Sequence, residues 1–122
     1  MKPGFKLLMK EGAGGSSLLW LEDRAGEAEP VLRKEHVPAL NFAEHPDKQL
    51  VDTTGAGDTF TAAFAVKFAS CLSRGKNVSE DSLIECMEFA TQAAFLCITR
   101  FGATEAIPRL NEVEQLADGV KL

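Results

Sequence analysis

The stretch VDTTGAGDTF, residues 51–60, packs small residues beside charge more densely than any other part of the 122-residue chain. Gly55, Ala56 and Gly57 separate Asp52 from Asp58, and Thr53, Thr54 and Thr59 flank them. Glycine lets a backbone turn sharply and lets a ligand come close, because no Cβ intrudes. A helix that starts here leaves its first amides without an intrahelical acceptor. Those amides, with the helix dipole, make an anion site. Preorganised amides stabilise the charge that spreads over a phosphoryl group in transfer. Asp58 then falls in the first turn beside the anion, where a carboxylate can take a proton from an attacking hydroxyl. The plainer alternative is a helix capped by Thr53 and Thr54, with Asp58 as surface decoration. No G-K-[ST] follows, so this is not a Walker A loop. The residues alone leave both readings open.

The elements that must position this motif come in two blocks. FKLLM (5–9), SLLWL (17–21) and VLRKEHVPAL (31–40) read as extended pieces, and LVD (50–52) as a brief strand entering the motif. KEGAGGSS and EDRAGEAEP read as turns, and NFAEHPDKQ (41–49) as a surface loop. From Ala56 the period changes: Phe60, Phe64, Phe68 and Leu72 form one stripe of a helix that SRGKN (73–77) ends at Gly75. Ser79 is the expected N-cap of a second helix, with Glu80 and Asp81 in its first turn. Its expected buried stripe is Leu83, Met87, Ala90, Ala94, Cys97 and Ile98, and Arg100 and Gly102 mark its end. Asn111 is the expected cap of a last short helix, EVEQLA. Strands followed by helices would leave a sheet face or edge uncovered. The chain is therefore expected to be the C-terminal part of a larger domain, or to borrow its missing partner by self-association.

Composition bounds the function. A net charge of −5 without a basic stripe argues against nucleic-acid partners. An acidic surface still permits a phosphate ligand held by backbone amides. No window approaches the roughly 18 apolar residues of a membrane span. Met1 to Lys10 show no signal-peptide core, so a cytoplasmic location is expected. Cys71, Cys86 and Cys97 lack paired spacing and read as reduced core thiols. His36 and His45 sit in polar surroundings with no metal pattern and are expected at the surface. Trp20 is read as core or as the lining of an interface with the rest of a larger domain.

DTTGAGDTF closely resembles the D-T-x-G-A-G-D signature of the ribokinase-like (PfkB) carbohydrate kinases. KEGAGGSSLL (10–19) resembles that family's glycine-containing strand end, and FATQAAFLCITRFGATEAIP (89–108) its alanine-rich helix and following loop. The T-R-x-G-A-x-x-x-x-P tail is most similar to the ribokinases within the family. The resemblance spans essentially all of this chain and not the family's N-terminal half. It implies an α/β chain that is the C-terminal portion of a three-layer α/β/α fold, with residues 1–122 as one part of a single kinase domain.

The resemblance also implies roles. Asp58 is the base that deprotonates a sugar hydroxyl attacking the γ-phosphate of ATP, and Gly55, Ala56 and Gly57 are the anion hole. Gly12 and Gly15 lie near the nucleotide phosphates, and Thr91 near the adenine. Asp52, Thr54, Cys97, Gly102 and Ala106 surround a monovalent cation, normally potassium (K+). Ala106 stands where ribokinases often carry serine, so only its main-chain oxygen could serve. Lys10 stands where ribokinases usually show threonine, a departure that weakens ribose against other sugars. Magnesium (Mg2+) accompanies ATP. The expected function is phosphoryl transfer from ATP to a small sugar, ribose first. The sibling alternatives are kinases of fructose, ketodeoxygluconate or adenosine. An alternative of another class is a non-catalytic, truncated nucleotide-binding or interaction fragment.

Overall fold

A computed structural model describes residues 4–75 and 78–118. Three strands form an antiparallel meander: β1 (Lys6–Lys10), β2 (Ser16–Glu22) and β3 (Val31–Val37), in the order β1-β2-β3. Three helices follow: α1 (Ala56–Ser73), α2 (Glu80–Ile98) and α3 (Leu110–Ala117). The expected order of strands and then two long helices is what the structure has. Met1 to Pro3 of the segment inspected for a signal peptide, and Lys76 and Asn77 of the expected helix stop, lie outside the described residues. Among the described residues no helix is long and apolar enough to cross a membrane.

The pleat sorts the sheet. Leu8 pairs with Leu18, and Trp20 with Lys6 and Arg33, so Leu8, Leu18, Trp20 and Val37 share one face. That face packs on Leu83 and Met87 of α2 and on Phe64 and Phe68 of α1. Trp20 is thus core. The opposite face carries Leu7, Met9 and Leu32, all exposed. Helix α2 is buried on more sides than one amphipathic stripe requires. Cys86, Ala93, Phe95 and Leu96 are buried along with the expected Leu83, Met87, Ala90 and Cys97, while Ala94 and Ile98 are only partly covered. The cause is that α2 has two sets of neighbours: the sheet and α1 on one side, Val113 and Leu116 of α3 on another. The three cysteines are buried free thiols. Burial pushes the Cys86 thiol up to about 11.

Several local expectations are corrected. Residues 50–52 form no strand, because the amides of Val51 and Asp52 donate to the Ile98 carbonyl at 2.8 and 3.2 Å instead of to a strand edge. The third extended piece, by contrast, is closed by Pro38 as expected, its strand ending at Val37. Leu72, the last member of the expected apolar stripe, is 50% exposed, while its neighbour Cys71 is buried. Ser79 does cap α2, accepting from the Ser82 amide at 3.2 Å. Asn111 does not cap α3. The N-cap is Arg109, whose amide donates to Glu112 at 2.9 Å, and Glu112 also pairs with Arg100. The Arg100 guanidinium and the Arg109 amide hold the Glu112 carboxyl below its usual range. His36 is exposed and bonded to Ser17 Oγ, but His45 is half-buried against the Phe95 ring, with centroids 5.0 Å apart. Asn41 turns part of the expected loop into a 3₁₀ turn, Phe42–Glu44, by accepting from the Ala43 amide.

Candidate active site

The first turn of α1 is built by Gly55, not by its threonines. Gly55 is the N-cap, with φ +80°, and no side chain caps the helix. A Cβ there would meet that of Ala103 at 3.3 Å, in a backbone region that side-chain-bearing residues rarely adopt. Cap satisfaction by Thr53 or Thr54 is therefore not what shapes this turn. The Ala56 amide donates to Thr53 O at 3.3 Å, and the Thr59 amide to Gly55 O at 2.9 Å. Among the described residues the amides of Gly57 and Asp58 meet no protein acceptor. Ala56 is thus partly spent on the turn. The Asp58 amide, which the sequence reading did not count, joins Gly57 as a free donor at the positive end of an 18-residue helix.

Two cavities flank this turn. One, of about 560 Å³, is lined by Lys10, Gly12 and Gly15 of the first hairpin, by Thr53, Ala56 and Gly57, and by Thr91 and Phe95 of α2. The residues expected near a nucleotide, Gly12, Gly15, Thr91, Ala56 and Gly57, are therefore brought into one cavity from three separate segments. The hairpin turn closes tightly: Glu11 donates to Gly15 O at 2.8 Å, and Gly15 to Gly12 O at 3.1 Å. Gly15 has φ +93°, and a Cβ on it would lie 2.2 Å from Val37 O. Thr91 is buried, and its hydroxyl donates to Met87 O at 2.7 Å, so its oxygen faces a ligand only as an acceptor. Phe95 and Ile98 follow Thr91 at helical spacing and complete the apolar wall with Leu40 and Phe42. That spacing was visible in the sequence, whereas its meeting with Leu40 and Phe42 was not.

The second cavity, about 450 Å³, is lined by Gly55 and Asp58 and by Val66, Phe89, Ile107 and Leu110, with Thr104 among its few polar groups. Asp58 itself is exposed. Asp58 and Gly57 are adjacent in the chain but line opposite cavities.

Behind the turn, Asp52 ties its own loop to the one that follows α2. One carboxylate oxygen accepts from the Thr54 amide at 2.9 Å, the other from the Gly102 amide at 3.1 Å. The Thr54 hydroxyl, then the Thr54 and Gly102 amides, hold the Asp52 carboxyl below its usual range. Cys97 joins through its side chain: the thiol donates to Thr54 O at 3.7 Å and accepts from the Thr59 hydroxyl at 3.5 Å, while its carbonyl accepts from the Arg100 amide at 3.2 Å. Ala106 is fully buried nearby, with its amide on Ala103 O at 3.3 Å. Asp52, Thr54, Cys97 and Gly102 are thus linked by hydrogen bonds. Among the described residues no group of three His, Cys, Asp or Glu is placed to hold a metal ion. A single carboxylate among main-chain oxygens is a hard-donor set, which does not suit a transition metal.

Comparison with known proteins agrees with this geometry. Residues 27–110 match the pfkB family carbohydrate kinase profile. Ribokinase from Arabidopsis thaliana is 37% identical over 111 residues, 91% of this chain and 23% of that protein. Among solved structures, ribokinase from Thermotoga maritima superposes with a TM-score of 0.62 at 34% identity, over 93% of this chain and 30% of that one. Arabidopsis thaliana ribokinase complexed with ribose and ATP superposes with a TM-score of 0.56 at 39% identity, over 91% of this chain and 28% of that one. The chain spans 23% of the length of the curated relative and about 30% of the solved ones. With a family match over most of its length and a ribokinase-type fold, the chain belongs to the pfkB family of carbohydrate kinases.

Proposed function

We propose that the chain is the C-terminal, nucleotide-binding part of an ATP-dependent phosphotransferase acting on a sugar hydroxyl, ribose first. The observation that carries this reading is the convergence of Gly12, Gly15, Gly57 and Thr91 on one cavity at the N-terminus of α1, with Asp58 one residue farther on. In this reading the base of ATP lies against Thr91 and Phe95. Its phosphates turn over Gly12 and Gly15, and the free amides of Gly57 and Asp58 face the transferring group. These donors are fixed before the ligand arrives, so they require no reorganisation when charge develops. Asp58 accepts the proton of the attacking hydroxyl from the other side of the turn. Bound with ATP, magnesium neutralises phosphate charge.

The residues around Asp52 fit a monovalent cation such as potassium. The Asp52 carboxyl is held below its usual range and accepts from the Thr54 and Gly102 amides, and Cys97, in the last turn of α2, reaches Thr54 O. When bound, such an ion adds positive field behind the amides. Ala106 offers only a main-chain oxygen to that set.

Asp58 is the one ionisable residue lining the cavity on its side, which supports a second reading for the 122 residues: a nucleotide-binding piece without sugar turnover of its own. Sugar-selecting groups are then assigned to the rest of a full-length kinase, of which residues 1–122 are one part. Fructose, ketodeoxygluconate and adenosine are the alternative acceptors, separable by a substrate panel. A cytoplasmic site and self-association through the open sheet belong to the same proposal.

Calorimetric titration of MgATP into this chain, in potassium and then in sodium, tests the reading. Binding that weakens in sodium is the expected result. Absence of binding in both salts would sink the assignment of the 560 Å³ cavity to a nucleotide.

A further inference from the structure

The last turn of α2 places the fully buried Cys97 thiol against the glycine turn that opens α1. Its sulfur accepts from the buried Thr59 hydroxyl at 3.5 Å, and its single hydrogen goes to the Thr54 carbonyl at 3.7 Å. Thr54 is therefore held on both sides: Asp52 accepts from its amide at 2.9 Å, and Cys97 donates to its carbonyl. The carbonyl matters because it shares a peptide plane with the Gly55 N–H. That peptide is trans, so a C=O aimed back at α2 sends the Gly55 N–H the opposite way. Among the described residues the Gly55 amide, like those of Gly57 and Asp58, meets no protein acceptor. Little in the local backbone fixes this plane, since Gly55 sits at φ +80° with no Cβ to restrain it. Ala106, fully buried near Gly102, has no hydroxyl with which to help.

We propose that Cys97 is a positioning residue of this turn, whose thiol keeps the Thr54–Gly55 peptide plane in one direction whether or not a cation lies behind it. A carbonyl oxygen has two lone pairs. The thiol occupies one and leaves the other for a cation resting on the Asp52 carboxylate, so both restrain the same carbonyl. Without the thiol, the direction of the plane depends on the cation alone. With it, the Gly55 amide is set in advance and the ion has less left to organise. The inference rests on the nucleotide and cation readings above. It goes beyond them by giving one side chain a share of the ion's task.

The test is calorimetric titration of MgADP into the chain and into Cys97→Ala and Cys97→Ser, each in potassium chloride and in choline chloride at equal ionic strength. The quantity read is the ratio of the two dissociation constants, choline over potassium. The wild-type ratio is expected to be above one but small. That of Cys97→Ala should be about two- to tenfold larger, the net worth of one hydrogen bond. Cys97→Ser, which keeps a donor on a shorter side chain, should fall between them. A merely structural cysteine would weaken binding in both salts alike and leave the ratio unchanged. An infrared measurement needs no ligand. The S–H stretch of Cys97, isolated by subtracting the Cys97→Ala spectrum, should lie below that of a thiol that donates to nothing, and a stretch at the free-thiol position would overturn the inference. Equal ratios above one in wild type and Cys97→Ala would also overturn it, while leaving the nucleotide and cation readings standing. A ratio of one in both proteins would remove the cation reading and this inference with it. No binding to the wild type in either salt would remove the nucleotide reading and, again, this inference. Circular dichroism checks the fold. Should Cys97→Ala not fold, Cys97→Val, which fills the space without a donor, takes its place under the same criteria.

Discussion

The two cavities beside the first turn of α1 are similar in size, about 560 and 450 Å³, and both are walled mainly by carbon, but the one ionisable side chain in each differs in sign, Lys10 in the larger and Asp58 in the smaller. The larger has a glycine hairpin, Gly57, a lysine and two threonines, Thr53 and Thr91, in its wall. The smaller has one carboxylate, Asp58, among Val66, Phe89, Ile107 and Leu110. The larger draws its polar side chains from three segments, Lys10, Thr53 and Thr91, and the smaller from two, Asp58 with Thr59 and Thr104. On the proposed reading, the difference places the anion-binding half of the chemistry within these residues and leaves the acceptor half represented by Asp58 alone.

The largest expected effect separates the two sides most sharply. In a full-length kinase carrying this segment, Asp58→Asn should lower kcat by about 10²–10⁴-fold, the usual worth of a general base, and leave ATP affinity nearly intact. Steady-state kinetics with a parallel ATP titration checks this, and retention of most turnover would break the assignment of Asp58. Next is Gly15→Ala, on the other side. Its Cβ would lie 2.2 Å from Val37 O, at a φ of +93°. A cost of at least about 1–3 kcal/mol is expected from the backbone conformation alone, read as a lower melting temperature together with lost nucleotide binding.

A smaller effect concerns Asp52, behind the turn and facing neither ligand. Its carboxyl is held below the ordinary range in the folded chain. The stabilisation is therefore fully present above the unfolded aspartate value of about 4 and is lost as pH falls through the lower folded value. Wild type and Asp52→Asn should differ in melting temperature at pH 7 and converge in acid. A constant gap from pH 7 to 3 would show that the hydrogen bonds to Thr54 and Gly102 do not depend on the charge. The smallest effect belongs to Val66→Lys. Val66 is 57% exposed and lines the smaller cavity, so in the 122-residue chain its replacement should change stability by less than about 0.5 kcal/mol. The same change in a full-length kinase should cost more if that cavity is an internal face. Equal effects in both would erase that distinction between the cavities.

Local chemistry explains what was legible in advance. The change of period at Ala56, the serine cap at Ser79 and the glycine stop after Ser73 are signals carried by neighbours in the chain, and α1 and α2 follow them closely. The density of glycine between two aspartates marked the place where α1 begins, at Gly55. What failed depended on partners distant in sequence. LVD looked like a strand because its residues suit one, but Ile98 O takes its amides. Asn111 suits a cap, but Glu112, held by Arg100, already serves the Arg109 amide. Leu72 continues a perfect apolar period and still faces solvent, because a period says which face is apolar and not how far that face is covered.

The sequence by itself determined that a glycine turn opens a helix with an acid in its first turn, in a family whose signature it carries. Those are properties of residues a few positions apart, governed by allowed backbone angles and by unpaired helix-end amides. Only the tertiary structure decided that Gly57 and Asp58 face different cavities, that the Asp58 amide is a free donor, and that Lys10 lies on Gly57 and Thr61. Residues 47 and 51 positions apart meet only when the sheet packs on α1, and no local preference encodes that meeting.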